Sequence, residues 1–316
     1  MQSALQRARS AHLLTTVDQK LLHAYSRCRV TRLQPTPIVV LDWGWLRARS
    51  AAKEVLPAQY QYLLSDVVFA ELCGLCAGDG ASGYSYAEKL FRILRRNRGR
   101  ILWARHPEQL IEMQRDPNAL ISPQQVVDPE RTTELATAEL PNSEELVERM
   151  KDVVATDQSL REYERRRDTF FDDCNAWAVM ARAQFEPRLF SQLASNTELR
   201  RQVLREPSLV WKWIEARMKQ DPDGYGRFNS QEWRSAVEQW PDQCAIGRWL
   251  RIMYAYGLWR QITPEGDDHK FENNWDDARY AFLASYTGWL ATNDGGLKQL
   301  VADIFPEVKL WPTTAE

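Results

Sequence analysis

The chain has 316 residues, of which 44% are apolar and 27% charged, and its formal net charge is -2. This length is enough for one large domain or two modest ones, and the composition is ordinary for a globular protein. The small net charge excludes an attraction to nucleic acid by the molecule as a whole, so any such attraction has to come from local basic patches.

The cysteines and the apolar runs indicate the compartment. Five cysteines, an odd number, argue against a disulfide framework and favour a reducing compartment. No apolar run approaches the ~18 residues that a membrane span needs. Residues 1–17 contain arginine and no acid, which is faintly typical of a transit peptide, but an amphipathic helix explains them as well. We expect a cytoplasmic protein without a membrane partner.

Short apolar runs alternate with helical patterns in the first third of the chain. Strands are predicted at PIVVLDW, YQYLLS and RILWA, and helices at residues 45–58, at SDVVFAELCGL and at SYAEKLFRILRRN, with GDGASG as a loop. This alternation is typical of a parallel sheet covered by helices. It predicts the first part of an α/β domain over residues 35–116, after a helical extension over residues 1–34.

The middle of the chain has a different character. Residues 117–142 are polar and interrupted by proline, which predicts a linker, and residues 143–262 have helical patterns throughout, which predicts an all-α insertion. Residues 263–316 return to α/β character. They are predicted to hold a helix from about Trp275, a strand near 288–292, a helix at 295–304 and a last strand at EVKLW.

Four acidic residues occupy positions at which a parallel sheet would gather them. Asp42 and Asp294 follow predicted strands, whereas Glu71 and Asp277 lie on helices that follow strands or loops. Ligands of open α/β sheets bind at the carboxyl ends of the strands. Four carboxylates there would repel each other by several kcal/mol at ~4 Å, so raised pKa values, basic partners or a bound cation must offset the repulsion. Oxygen ligands suit Mg²⁺ or Mn²⁺.

Four segments in chain order resemble the PIN-domain family of metal-dependent nucleases. They are VVLDWGWL, LLSDVVFAELCGL, Asp277-Ala278 with Ala281 and Ala284, and GWLATND. The resemblance covers residues 36–105 and 273–311. It implies a PIN-like parallel sheet in which Asp42, Glu71, Asp277 and Asp294 are the catalytic, metal-binding acids.

The resemblance also implies roles for neighbouring residues and has two departures. Thr292 matches the hydroxyl residue that orients water or a carboxylate, and Asp276 is interpreted as a helix cap or a supporting acid. Gly44 stands where the family often has Asn, Ser or Thr. The helical insertion is larger than in compact members.

The implied activity is a divalent-metal-dependent endoribonuclease that leaves a 5′ phosphate and a 3′ hydroxyl. Such proteins are often toxins held by a partner, or parts of RNA-processing and defence systems. The expected partners are therefore an inhibitory or accessory protein, or a second copy of the chain. Two alternatives stay open: a non-catalytic scaffold on a degenerate fold, and a structure-specific DNase. The basic residues predicted to contact RNA or DNA phosphates are Arg47, Arg49, Arg95, Arg96 and Lys298.

Overall fold

The computed structural model describes most of the chain after residue 35. The described residues are 36–49, 54–78, 80–138, 186–206, 226–239, 243–262 and 274–311, with scattered positions within 165–183 and 208–219. Residues Pro37–Glu316 form one contact unit, which contains all the elements described below. The predicted helical extension over residues 1–34 lies outside the described residues.

A six-stranded sheet in the order β4-β3-β2-β1-β5-β6 forms the centre of the unit. The strands are β1 (Ile38–Leu41), β2 (Gln61–Leu64), β3 (Ile101–Ala104), β4 (Val127–Asp128), β5 (Trp289–Ala291) and β6 (Lys309–Leu310). All neighbouring pairs are parallel except β3 and β4. The predicted α/β class with a mostly parallel sheet is therefore confirmed.

Helices cover the sheet. Those with full bounds are α1 (Trp43–Ala48), α2 (Asp66–Gly78), α3 (Gly80–Arg96), α4 (Pro107–Met113), α5 (Pro129–Thr137), α6 (Pro187–Ser195), α7 (Thr197–Arg205), α8 (Gln231–Gln239), α9 (Ala245–Ile262), α10 (Asn274–Thr287) and α11 (Gly295–Ile304). Among the described residues, no helix combines the length and the apolar character needed to cross a membrane.

Strand β1 is the centre of the core and the point where the strand order reverses. All four of its residues are buried, as expected for a parallel strand covered on both faces. Each of its larger side chains contributes about 1.5–3 kcal/mol by leaving water. The chain places β2 and β3 on one side of β1 and β5 and β6 on the other. In such sheets the ligand crevice lies at the reversal, here at the carboxyl ends of β1 and β5.

Two local predictions are wrong in part. The loop predicted at GDGASG is helical from Gly80, because its small residues serve close packing of α2 and α3. A Cβ atom on Gly83 would lie 2.6 Å from the backbone nitrogen of Cys76, so this contact requires glycine. The helix predicted over 45–58 ends at Ala48, where the backbone of Arg49 turns extended.

The segment 117–142 contains regular structure that its sequence pattern does not indicate. Within its described part, a 3-10 turn leads into β4 and α5, and β4 extends the sheet by pairing with Trp103 and Ala104. The carboxylate of Asp128 caps α5 by accepting hydrogen bonds from the backbone N–H groups of Glu130 and Arg131, both 3.1 Å. A two-residue edge strand is too short to produce a readable alternation.

The helices of the predicted insertion pack directly on the α/β core. The carboxylate of Asp303 on α11 is fully buried and pairs with Arg200 at 2.8 Å and Arg201 at 3.1 Å, both on α7. On the other side, the ring of Trp249 on α9 lies 5.7 Å from Trp275 on α10. The described residues between 165 and 262 are helices and turns; the bounds of the insertion as a domain stay a prediction.

Candidate acidic site at the carboxyl edge of the sheet

The ends of β1 and β5 are joined by a chain of hydrogen bonds through one threonine. The backbone N–H of Asp42 donates to the carbonyl of Ala291 at 3.0 Å, which continues the β1–β5 pairing. The hydroxyl of Thr292 donates to Oδ2 of Asp42 at 2.8 Å and accepts from the N–H of Asp294 at 3.0 Å. The carboxylate of Asp294 then caps α11 by accepting from the N–H of Leu297 at 2.8 Å. Three predicted site residues thus meet at the reversal of strand order.

Asp42 is 5% exposed and caps α1. Its Oδ1 accepts from the N–H of Gly44 at 3.1 Å, and a Cβ atom on Gly44 would lie 3.2 Å from its Oδ2. Gly44 therefore leaves room beside the carboxylate of Asp42. The side-chain hydrogen bond to this carboxylate comes from Thr292 rather than from a polar side chain at position 44. Burial raises the pKa of Asp42, the hydrogen bonds from Thr292 and Gly44 oppose this, and the charge of Asp294 adds to it.

Glu71 reaches the same site from α2. The hydroxyl of Tyr280 donates to its Oε2 at 3.0 Å and accepts from the backbone N–H of Trp43 at 3.3 Å. Burial raises the pKa of Glu71 well above its usual value, and the carboxylates of Asp276 and Asp42 raise it further. Tyr280 is therefore a site residue that connects α10, α2 and the start of α1.

Asp276 and Asp277 both belong to the acidic cluster, from the first turn of α10. Burial raises the pKa of Asp277 well above its usual value, and Asp294, Asp42 and Glu71 add to the effect. Burial likewise raises the pKa of Asp276, partly opposed by Arg279. Oδ1 of Asp276 is buried and has no hydrogen-bond partner among the described residues. The interpretation of Asp276 as a helix cap or a supporting acid stays a prediction; its charge contributes to the raised pKa of Glu71.

A buried arginine borders the cluster and was missed from the sequence. The side chain of Arg279 is 2% exposed, and its Nη2 donates to Oδ1 of Asp66 at 2.7 Å and lies 2.6 Å from Nδ1 of His106. Because arginine stays protonated, Nδ1 of His106 accepts this bond. Burial lowers the pKa of His106, consistent with a neutral ring. The signal in the sequence was a single charged residue among the apolar residues of a helix, the same kind of signal that indicated Glu71.

The helical segment contributes a wall to the site through α9. Tyr256 is 2% exposed, and burial raises its pKa well above the usual value, with further contributions from the charges of Asp277 and Asp294. These contributions require the tyrosine to lie near both acids. Helix α9 therefore lies beside the acids, of which Asp277 is half-buried and Asp294 is exposed.

Two predicted phosphate contacts lie beside Asp42. Arg47 is exposed at the end of α1, and its positive charge lowers the pKa of Glu71. Arg49 stacks over the ring of Trp45 at 4.3 Å, and burial lowers its pKa. The charge of Arg47 therefore acts on Glu71, whereas Arg49 packs on Trp45 of α1.

The other three predicted basic contacts lie on α3 and α11. Arg95 and Arg96 end α3 just before β3 begins, which places them at the amino edge of the sheet, opposite the acids. Arg96 pairs with the buried carboxylate of Glu54 at 2.8 Å. Lys298 lies one turn into α11, and its N–H donates to the carbonyl of Asp294 at 3.1 Å. The role of these three residues in nucleic-acid binding stays a prediction.

The donor set fits a hard divalent cation, although the side chains are not gathered into a finished coordination shell. Among the described residues, no group of three or more acidic, histidine or cysteine side chains is close enough to hold a metal ion as it stands. The groups whose negative charges raise the pKa values of Glu71 and Asp277 are all carboxylates. Oδ1 of Asp276 is buried and has no hydrogen-bond partner among the described residues. Carboxylate oxygens are the ligands that Mg²⁺ and Mn²⁺ prefer.

Comparison with known proteins gives no relative from which a role could be transferred. No family model, no curated protein and no solved structure matches this chain.

Proposed function

We propose that this protein is a divalent-metal-dependent endonuclease that hydrolyses phosphodiester bonds of RNA. One observation carries the proposal: Thr292 bonds both Asp42 and Asp294, and Tyr280 bonds Glu71, at the carboxyl edge of the sheet. Burial and neighbouring carboxylates raise the pKa values of Asp42, Glu71 and Asp277 there. Asp294 adds to the effect on Asp42 and Asp277. A cluster of this kind costs stability unless protonation, basic partners or a bound cation offset the repulsion, and such clusters are frequent at functional sites.

The charge of the cluster supports a cation as its partner. The five acids Asp42, Glu71, Asp276, Asp277 and Asp294 are opposed by Arg47 and by Arg279, and Arg279 is already bonded to Asp66. When bound, Mg²⁺ or Mn²⁺ would polarise the phosphodiester and lower the pKa of an attacking water. The carboxylates would hold the cation.

The remaining residues prepare the acids for this role. Thr292 fixes the Oδ2 atom of Asp42, and the N–H of Leu297 fixes Asp294, so the two carboxylates are oriented before a ligand arrives. Tyr280 holds Glu71 in the same way. Tyr256 and the other buried side chains of α9 exclude water from one side, which strengthens every electrostatic interaction in the crevice.

A cleavage assay tests the proposal. Labelled single-stranded RNA and DNA are incubated with the protein in Mg²⁺, Mn²⁺ or EDTA, beside the variants Asp42→Asn and Asp116→Asn. Asp116 is a matched control, because its carboxylate also accepts from the N–H two residues on, at 2.8 Å, but it is exposed on a different loop. We expect metal-dependent RNA cleavage with 5′ phosphate ends, and a loss on the order of 100-fold in Asp42→Asn alone.

Other outcomes of the assay separate the alternatives. Cleavage in EDTA, or full activity of Asp42→Asn, would contradict the proposal. Cleavage of DNA alone would assign the same chemistry to a DNase. Metal binding without cleavage of either substrate would favour a non-catalytic scaffold.

A further inference from the structure

A cavity of about 310 Å³ lies between α7, α11 and β6, apart from the acidic crevice. Its polar lining comes from Arg201 and Arg205 of α7 and from Lys298 of α11, with Glu198 as the acidic member. Val301 and Val308 contribute to an apolar wall. A volume of this size is at the lower end of those that hold small ligands or parts of larger ones.

The charge of this lining is opposite to that of the whole chain. Three cations and one acid give the lining a net charge of +2, whereas the chain carries -2. The buried carboxylate of Asp303, which lies next to the cavity wall, is already paired with Arg200 and Arg201. The lining therefore favours an anionic ligand.

The two arginines are held in place before a ligand binds. Nε of Arg201 donates to Oδ1 of Asp303 at 3.1 Å, and Nε of Arg205 donates to the backbone carbonyl of Asp303 at 2.9 Å. Nη2 of Arg205 donates to the carbonyl of Ala302 at 3.1 Å. Fixed guanidinium groups lose little side-chain entropy on binding, which suits recognition of phosphate oxygens.

The cavity is connected to the acids through α11. Asp294 caps this helix, and Lys298 follows one turn later, joined to it by the backbone hydrogen bond between Lys298 and Asp294. Four residues of a helix rise about 6 Å. A nucleic-acid strand that passes the acids and continues along α11 would therefore meet Lys298 first. It would meet Arg205, which is bonded to Ala302, about 12 Å beyond Asp294.

We propose that this cavity binds the phosphate backbone of the single-stranded nucleic acid whose scissile bond lies in the acidic crevice. The identity of the ligand rests on the proposed nuclease function. The apolar wall would pack against a sugar or a base, and the three cations would neutralise phosphates. Helix α7 of the helical segment thereby acquires a role in holding the substrate.

Fluorescence anisotropy in EDTA, with labelled 20-mers of single-stranded RNA and DNA, tests the proposal without cleavage. Lys298→Gln is expected to weaken binding about twofold to fivefold and to reduce the slope of log K against log salt by about 0.7. Glu198→Gln is expected to strengthen binding by a similar factor, because it removes the one acid of the lining. The controls are Lys212→Gln and Glu232→Gln, both exposed and absent from the lining, which leave the affinity unchanged.

The opposite shifts of Lys298→Gln and Glu198→Gln distinguish a binding site from damage to the fold, because unfolding would weaken binding in both variants. Equal affinities of all variants, or no binding of either oligonucleotide by the unchanged chain, would overturn the inference. Preference for RNA or for DNA in the unchanged chain identifies the source of the phosphates. Anisotropy does not depend on cleavage, so the two proposals can fail separately. If the chain cleaves RNA but the lining variants bind it with unchanged affinity, only the role of the cavity is refuted. If the lining variants change the affinity but the chain cleaves neither substrate, only the nuclease function is refuted.

Discussion

The hydroxyl of Thr292 donates a 2.8 Å hydrogen bond to Asp42, which lies 250 residues earlier in the chain. The same oxygen accepts the backbone N–H of Asp294 at 3.0 Å. One buried side chain therefore sets the relation between two acids that follow neighbouring parallel strands, and it does so at the point where the strand order reverses. Because both bonds use the same hydroxyl, a change in the position of one acid would also affect the other.

Replacement of Thr292 by valine removes this hydroxyl with little change in shape. We expect a loss of about 1.5–3 kcal/mol in the free energy of unfolding, since a buried bond to a carboxylate disappears. We also expect Mn²⁺ affinity to fall roughly 10-fold to 100-fold, because the carboxylate of Asp42 loses its orientation. Chemical denaturation and calorimetry measure the two effects. Thr292→Ser keeps the hydroxyl and should restore most of the affinity; equal losses in both variants would contradict the role of the hydrogen bond.

Neutralisation of one acid should stabilise the metal-free protein. The folded-state pKa of Asp277 is raised above the ~3.9 of an unfolded chain, so between these values the folded state binds more protons. Stability therefore falls as the pH rises through this window, and the penalty is fully present above the folded pKa. One pKa unit corresponds to about 1.4 kcal/mol, more than the 0.3–1 kcal/mol that an acid gains at a helix start.

We therefore expect Asp277→Asn to raise the melting temperature in EDTA at pH 7 by at least about 2 °C. The gain should shrink as the pH falls and vanish below the ~3.9 of the unfolded chain, where the carboxyl group is protonated in both states. Asp116→Asn, on an exposed loop, should change little. Differential scanning calorimetry measures these temperatures, and a lower melting temperature of Asp277→Asn at pH 7 would show that the cluster is not repulsive.

Tyr280→Phe should change the pH dependence of metal binding. Its hydroxyl lowers the pKa of Glu71 by donating to the carboxylate, so its loss lets that pKa rise further. Metal binding needs the ionised carboxylate. We expect the loss of Mg²⁺ affinity, measured by calorimetry, to be larger at pH 6 than at pH 8. Tyr286→Phe on the same helix is the control, because its buried hydroxyl has no hydrogen-bond partner among the described residues; equal losses at both pH values would contradict the account.

Asp303→Asn tests how the helical segment is attached to the α/β core. The substitution leaves Arg200 and Arg201 partly buried without their carboxylate, so we expect a loss of about 3–5 kcal/mol in the free energy of unfolding. Urea denaturation measures it, with Glu307→Gln on the exposed turn before β6 as the control. A loss below about 1 kcal/mol would show that α7 and α11 are held together mainly by apolar packing.

The central strands and the helices near the end of the chain could be predicted because they leave clear patterns in the sequence. Strand β1 is buried on both faces and appears as the apolar run IVVL, and α11 begins at the acid that caps it. Strand β4 and the start of α3 could not be predicted in this way. Two residues of β4 show no alternation, and the glycine at 83 indicates a loop unless the close neighbour Cys76 is known.

The acids at this edge of the sheet and the supporting Thr292 were predicted from the sequence, whereas Tyr280 and Arg279 were not. Asp42, Glu71 and Asp277 stand out as charges in apolar surroundings, and the structure brings them to one edge of the sheet. Tyr280 looks like any other aromatic residue of a buried helix, because its partner Glu71 lies 209 residues away. Arg96 has a contact that the basic run in the sequence does not indicate, because its partner Glu54 lies in a different segment and is buried.

The proposed function depends on the binding of a divalent cation by the acidic cluster. Isothermal titration calorimetry of Mn²⁺ into the EDTA-treated and dialysed chain tests it most directly, with Asp42→Asn, Asp277→Asn and the control Asp116→Asn. We expect saturable Mn²⁺ binding by the unchanged chain and by Asp116→Asn, and an affinity at least about 10-fold weaker in Asp42→Asn and Asp277→Asn. Equal Mn²⁺ binding by all four proteins, or no binding by the unchanged chain, would contradict it.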